Sequence, residues 1–465
     1  MSYARYLASV TGALRDRVLP KVEDSEARSA LEASIRALAG IGDSLDMERD
    51  APALGGRTAA RTPLDGPPEN SAVRPDTATA IVAAHDRLAD GNWLASPAGR
   101  DEAREMIGWE RDRMAEAIGA MTAAEQPRSA MAAASGPDPL LIQPAAVEAF
   151  FREKCGAGAT VTGFRQAVGG RSRQTALLTL EGDTGLPREL VIQRDHPAGI
   201  SPQSVADEYP ALELVADSPL RSPRPVMLER SRDYLGAPFM VVERASGTVA
   251  GPDYFDPPKD TGLALQLAEQ LALLHAVDPS PVAGLLRGTL PEGDDWLSEL
   301  DRLEEVFNRL AHWPSIAATA AFGWMRAHLD AIDDTRAIVH NDAAFHNILV
   351  DEGRITALLD WELVHIGHPA EDLGYCRPFI QEMGVWDAFL DAYVAAGGRR
   401  FPAAVIDYFS LRGQLYLMTL LQNGGRRMFE TGATDDINLA EVGASFMPKV
   451  MLRLANIVAS ILEDA

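Results

Sequence analysis

Cysteine is nearly absent. The 465 residues hold two, Cys155 and Cys376. Two cysteines cannot build a disulfide framework, and no Cys-x-x-Cys pair is present to hold zinc, so a reducing, cytoplasmic setting is expected. Long apolar runs are absent too. The most apolar helical stretch, residues 263–277, is interrupted by Gln266, Glu269 and Gln270, so no membrane-spanning segment is expected. The first residues carry apolar side chains at helical spacing without the unbroken core of a secretory signal. Basic residues are outnumbered, 43 against 67 acidic, for a formal net charge of −24. A chain of that sign does not attract a polyanion through its overall field, which argues against nucleic acid as the main partner. No Gly-Lys-Ser or Gly-Lys-Thr occurs, which argues against a P-loop nucleotide site. No Gly-x-Ser-x-Gly elbow occurs either, which argues against an ordinary α/β-hydrolase.

What is present is an ordinary globular composition, 46% hydrophobic and 24% charged, arranged in two styles. Tyr3, Leu7, Val10, Leu14 and Val18, then Ala27, Leu31, Ile35, Leu38 and Ile41, recur at helical steps. Residues 50–75, rich in Ala, Gly and Pro, read as a linker. A further helix is predicted over 100–121, with Ala103, Met106, Ile107, Met114, Ala117, Ile118 and Met121 on one side. Residues 1–125 thus form a helical accessory region, followed by a linker over 126–139. The pattern then changes to short apolar runs separated by turn residues, from Thr160 to Arg194 and again at Pro238–Ala245. A helix is predicted over 204–217. From Gly247 the chain reads as mostly helical, broken by one β-hairpin around Asp351-Glu352-Gly353-Arg354. The fold class expected is α+β: a small strand-rich lobe over 140–246 and a larger helical lobe over 247–465.

The chemistry concentrates in that hairpin. The segment IVHNDAAFHNILVDEGRITALLDWE carries His340, Asp342, Asn347 and Asp360. An antiparallel hairpin brings its ends together, so Asn347 before the first strand and Asp360 after the second should converge, with Asp342 on the loop leading in. Two carboxylates and an amide oxygen make a hard, oxygen-rich site suited to Mg²⁺. Phosphoryl transfer needs such a metal on the phosphates and a carboxylate to orient and deprotonate the attacking hydroxyl.

This segment resembles the catalytic loop of the aminoglycoside phosphotransferase and choline kinase family, small-molecule relatives of protein kinases. The resemblance covers residues 140–465 and implies a bilobal kinase-like fold. It implies Asp342 as catalytic base and Asn347 and Asp360 as Mg²⁺ ligands, with His340 holding the loop. HIGHPAEDLGY resembles the family segment whose later Asp, here Asp372, braces that loop. VGGRSRQTALLTL stands where the family has a turn over the phosphates, so Gly169 and Gly170 would let backbone N–H groups approach the nucleotide. LVIQRDHPAG resembles the strand whose basic residue clamps the α/β-phosphates. Alignment puts Gln193 on that position and Arg194 beside it, and Arg194 is favoured because it carries the charge. DEYPALELVA matches the helix whose Glu pairs with that base, giving Glu208. APFMVVERASG matches the hinge, so Val242, Glu243, Arg244 and Ala245 should line the adenine pocket. Departures are Asn341 for the usual Gly, His346 for a small residue, and His368 for Asp.

Each of these residues has a plainer reading. Gly169 and Gly170 also fit an ordinary hairpin turn, Glu208 an exposed helix position, and Arg194 a charge at a strand end. His365 and His368, near His340 and His346, raise zinc, but no compact ligand set is present and packing roles are expected. His275, on an apolar helix, is expected to be a satisfied core histidine. The function implied is transfer of the γ-phosphoryl group of ATP, or GTP in its place, to a hydroxyl of a small molecule. Several segments look closest to the branch associated with acyl-CoA dehydrogenases. A hydroxylated metabolite such as a hydroxyacyl thioester therefore ranks above an aminoglycoside or other antibiotic. Arg426 and Arg427 offer charge for an anionic acceptor, or a solvated helix end. A nucleotide-binding pseudokinase scaffold is the alternative of a different class.

Overall fold

A computed structural model of the chain describes residues 11–12, 14–22, 31, 35, 88–124, 142–167, 173–195, 203–251, 254–290, 295–310, 315–429 and 446–464. In chain order the principal helices are α1 (Pro97–Ala124), α2 (Pro144–Cys155), α3 (Val205–Val215), α4 (Gly262–His275), α5 (Trp296–Leu310), α6 (Ile316–Ala327), α7 (Ala370–Glu382), α8 (Trp386–Ala395), α9 (Ala403–Phe429) and α10 (Met447–Asp464). The strands are β1 (Thr160–Gln166), β2 (Arg173–Glu181), β3 (Glu189–Asp195), β4 (Pro225–Glu229), β5 (Phe239–Glu243), β6 (Thr248–Val249), β7 (Ala337–Val339), β8 (Ile348–Asp351), β9 (Arg354–Leu358) and β10 (His365–Gly367).

The chain divides into two compact units. One joins Pro137–Asp294 to Asp333–Ser410 and contains every site position named above except Arg426 and Arg427. The other joins Met1–Gly136 to Asp295–Ile332 and Leu411–Ala465. Helix α1 therefore shares a unit with helices that the sequence assigns to the helical lobe, while most of residues 1–87 lie outside the described residues. Within that unit α1 packs against α10 and α6. The predicted stripe of α1 is its inner face: Ala103, Met106, Ile107, Met114 and Ala117 are buried and Ile118 is half-buried, while the Met121 side chain lies outside the described residues. Glu110, also buried on α1, accepts the Ala317 N–H at the start of α6 at 2.7 Å.

In the first unit a five-stranded antiparallel sheet runs in the order β1-β2-β3-β5-β4. Strand alternation sorts its side chains onto two faces. Ala176, Leu178, Leu180, Leu190, Ile192, Phe239 and Val241 pack against Val147, Phe150 and Phe151 of α2. Each of those buried phenylalanines contributes roughly 1.5–3 kcal/mol. Helix α2 is an addition to the elements expected from the sequence, although Val147, Phe150 and Phe151 carry the spacing of a buried helix face. On the other side, Met240 and Val242 pack with Tyr209 and Leu212 of α3 and with Leu274, Ile338, Trp361 and Val364. Helix α3 starts at Ser204, whose Oγ accepts from the Ala206 N–H while Asp207 accepts from the Ser204 N–H at 2.8 Å, a capping box. A small strand-rich lobe followed by a larger helical part is the α+β, bilobal arrangement expected from the sequence. No helix among the described residues is long and apolar enough to cross a membrane.

Candidate active site

The hairpin β8–β9 positions the core of the site. Ile348 pairs with Leu358 and Asp351 with Arg354, leaving Glu352 and Gly353 as a two-residue turn with φ of 47° and 75°. Positive φ at both positions is the turn that suits the twist of the strands. At the open end the Leu359 N–H donates to the Asn347 carbonyl at 2.7 Å, which brings Asn347 and Asp360 to the same end. Asn347 Nδ2 donates to the Asp342 carboxylate at 2.8 Å and to its carbonyl at 3.1 Å. With the amide nitrogen committed, Oδ1 is the end of Asn347 left to face a cation. Asp360 sits at φ 63°, in the left-handed region, at a cost of about 1–3 kcal/mol for a residue with a Cβ.

The loop ahead of the hairpin is held from α7. Asp372, fully buried, accepts the His340 N–H at 2.9 Å and the Asn341 N–H at 2.6 Å. It also bonds His275 Nε2 at 3.0 Å, and the far side of that ring bonds the Tyr393 hydroxyl at 2.8 Å. His275 is thus a satisfied core histidine that orients the brace. Asn341 has φ 58°, a conformation Asn tolerates better than most residues, so the family's usual glycine is not required there. One turn further along α7, Tyr375 donates its hydroxyl to Asp342. Tyr375 closes the HIGHPAEDLGY segment, and its contact with Asp342 is a functional role not expected from the sequence. His365 bonds Glu371 at 3.1 Å, and His368 bonds Asp333 at 3.2 Å while stacking on Phe409. Both are packing residues.

Like charge crowds this end of the hairpin. Burial pushes the Asp342 carboxyl up, Tyr375 and Asn347 pull it down, and Glu362 and Asp372 raise it further. Asp360 is pushed well above the carboxylate range by burial, then by Glu362, Asp342 and Glu208, with Arg173 opposing. Asp342 and Asp360 are half-buried, and carboxyls that repel one another away from bulk water call for a cation. No group of three or more His, Cys, Asp or Glu side chains among the described residues is placed to hold a metal on its own. The donor set fits Mg²⁺ in a different way, because that ion takes one or two protein oxygens and completes its shell from phosphates and water. Asn347 and Asp360 supply oxygens of that kind.

On the strand lobe the structure corrects one pairing. Arg194 does not meet Glu208. It shares a face with Leu190 and Ile192, and its guanidinium donates to the Leu235 carbonyl at 2.7 Å and to Gln174. The residue that does meet Glu208 is Arg173, the first of β2, through Nη2 to Oε2 at 3.3 Å, and it pairs with Asp195 as well. Glu208 is buried, not exposed; burial raises it to about 8, Arg173 pulls it down, and Glu362 and Asp195 add to the rise. Of the hinge positions, Val242 is buried in the core with α3, Glu243 and Arg244 are exposed, and Ala245 is half-buried. The Glu243 and Arg244 N–H groups are donated to the Arg224 and Glu189 carbonyls at 2.8 and 3.0 Å. Gly169, Gly170 and the Arg426 and Arg427 side chains lie outside the described residues.

Comparison with known proteins places the chain in a family and shows its fold. A family model described as "Phosphotransferase enzyme family" matches residues 163–413. The chain is 26% identical over 221 residues to acyl-CoA dehydrogenase family member 11 of Gallus gallus, covering 46% of this chain and 28% of that protein. Acyl-CoA dehydrogenase family member 10 of Mus musculus is 24% identical over 197 residues, covering 40% of this chain and 18% of that protein. The match thus spans under a third of the length of these relatives. Among solved structures, one from Ralstonia eutropha assigned to the aminoglycoside phosphotransferases superposes with a TM-score of 0.52 at 20% identity. That superposition covers 68% of this chain and 98% of the other, and shows a shared fold.

Proposed function

The chain belongs to the phosphotransferase enzyme family, and from that premise we propose that it transfers the γ-phosphoryl group of ATP to a hydroxyl of a small metabolite. The observation that carries this is the meeting of Asp342, Asn347 and Asp360 at one end of a hairpin braced by Asp372. Asp342 takes the proton of the attacking hydroxyl as the new O–P bond forms and the bond to the β-phosphate oxygen breaks. Tyr375 and Asn347 hold its carboxylate in place for that proton. Asn347 and Asp360 would hold Mg²⁺, whose contribution when bound is to neutralise charge on the phosphates.

For the acceptor, the likeness to acyl-CoA dehydrogenase family members 10 and 11 supports a hydroxylated metabolite, with a hydroxyacyl thioester as the leading class. The test is phosphoryl transfer from radiolabelled ATP, with GTP in parallel, against hydroxyacyl-CoAs, free hydroxy acids and aminoglycosides. Wild type runs beside Asp342→Ala and Asp360→Ala. Label on a hydroxyacyl thioester, lost in both variants, is the expected result. Label on an aminoglycoside alone overturns the acceptor class. Nucleotide binding without transfer to any acceptor or to water, unchanged in both variants, overturns the kinase reading in favour of a scaffold.

A further inference from the structure

Kinase-like sites need a cation on the nucleotide's phosphates, and the sequence places two candidates on β3, Gln193 and Arg194. Neither supplies one. Gln193 carries no charge, and Arg194 is turned away. The register explains why. Thr175 pairs with Gln193 and Arg173 with Asp195, so these four share one sheet face, whereas Gln174 and Arg194 share the other with Ala176 and Ile192. The face of Gln193 is the one on which Val191 packs toward α3, and α3 presents Glu208.

Arg173 occupies that face. Its side chain is 6% exposed and held by two carboxylates, Asp195 and Glu208. Asp195 is itself fixed, accepting from the Val205 N–H at 2.9 Å and the Ser204 hydroxyl at 2.6 Å at the start of α3. The Arg173 Nε hydrogen is left without an acceptor among the described residues. The guanidinium also feels Glu362 and Asp360, so it stands within electrostatic reach of the hairpin end. A buried, always-charged fork anchored on two of its nitrogens and carrying a spare donor is a phosphate-binding group.

We propose that Arg173, entering from β2, is the cation that receives the α/β-phosphates of the nucleotide in place of a β3 residue, with Glu208 and Asp195 as its positioning residues. This rests on the nucleotide-dependent reading above. It makes this chain a rearranged version of the expected clamp. The charge has moved one strand over, to the residue that follows the Gly169-Gly170 stretch by three positions, and β3 carries a neutral Gln193 on the same face.

The test separates phosphates from base. The full chain is titrated with Mg-ADP and with adenosine as wild type, Arg173→Ala, Arg173→Ala with Gln193→Lys, and Arg194→Ala. Arg173→Ala is expected to weaken Mg-ADP binding by about 30-fold, the usual scale for a buried charge pair, and to leave adenosine affinity within threefold. Gln193→Lys, one residue pair away on the same face, is expected to restore Mg-ADP binding to within about fivefold of wild type, which a merely structural role for Arg173 would not allow. Retained Mg-ADP binding in Arg173→Ala, with loss in Arg194→Ala, overturns the proposal. Equal loss of Mg-ADP and adenosine in Arg173→Ala, without rescue, overturns it as well, because the arginine would then only hold the fold. If wild type binds neither ligand, the nucleotide-dependent reading itself fails, and that result is distinct from the other two.

Discussion

Glu110 is a carboxyl in the wrong place for a charge, and that has a measurable consequence. It lies fully buried on α1, with Oε2 on the Ala317 N–H and Oε1 without a hydrogen-bond partner among the described residues. Burial raises its pKa from 4.5 to about 7, with the N–H groups of Ala317 and Ile316 and the Ser315 hydroxyl pulling the other way. Between those two values the folded chain holds a proton that the unfolded chain has released. Stability therefore falls as pH rises. The contribution is fully present below pH 4.5 and lost by the time the pH has passed about 7. A shift of this size corresponds to about 3 kcal/mol.

Glu110→Gln isolates that contribution. The amide has the shape of the protonated acid, and its oxygen can take the Ala317 N–H. At pH 5 the variant should match wild type to within about 0.5 kcal/mol. At pH 8 it should be the more stable by about 3 kcal/mol, because wild type must either bury a charge or lose the packing around it. Urea unfolding of both proteins at pH 5, 6, 7 and 8 measures the difference directly, and other titrating groups cancel between them. Parallel stability profiles would refute the reasoning, since they would mean that Glu110 is ionised and solvated in the folded chain. A variant less stable at pH 8 would refute it more sharply, by showing that the charge itself holds the start of α6.

Two further substitutions test the frame of the site. Asp372→Asn replaces one of the oxygens that accept the His340 and Asn341 N–H groups by a donor; a loss of about 3 kcal/mol in urea unfolding is expected, with turnover falling more than nucleotide affinity. Since His275 holds the Asp372 pKa low against burial, wild type loses this support as pH falls below the usual carboxylate range, and the variant should lack that acid limb. Gly374→Ala would place a Cβ 2.5 Å from the Ser410 nitrogen and 2.6 Å from the Phe409 carbonyl carbon. Backbone cannot yield as a side chain can, so a loss of about 1–3 kcal/mol is expected in the same assay.

The parts of this site that were legible in sequence are local. The hairpin announces itself through Asp351-Glu352-Gly353-Arg354, and once it is drawn, Asn347 and Asp360 must share an end. Asp342 follows from chain distance. The nucleotide side was harder because it depends on which face of a strand a residue takes. In Leu190-Val191-Ile192 both faces are apolar, so alternation gives no parity, and charge alone favoured Arg194. Parity is fixed only by pairing with β2 and by α2, whose phenylalanines claim the face of Leu190, Ile192 and therefore Arg194. The same limit explains Glu110: nothing local in α1 says that its partner lies two hundred residues on, at the start of α6.

Two kinds of constraint thus act on the same chain. Where a short segment folds back on itself, residue spacing dictates the geometry, and chemistry can be read from the alphabet. Where a side chain is placed by a distant element, its type says only what it could do. Arg173 shows the difference most clearly. In sequence it is one of two arginines beside Ser172, and its meaning comes from Asp195, twenty-two residues on, and from Glu208, thirty-five residues on. A clamp assembled from three such separate places can change which strand supplies its charge and keep its carboxylates, because the guanidinium's reach and fork, and not its position in the chain, are what the phosphates would meet.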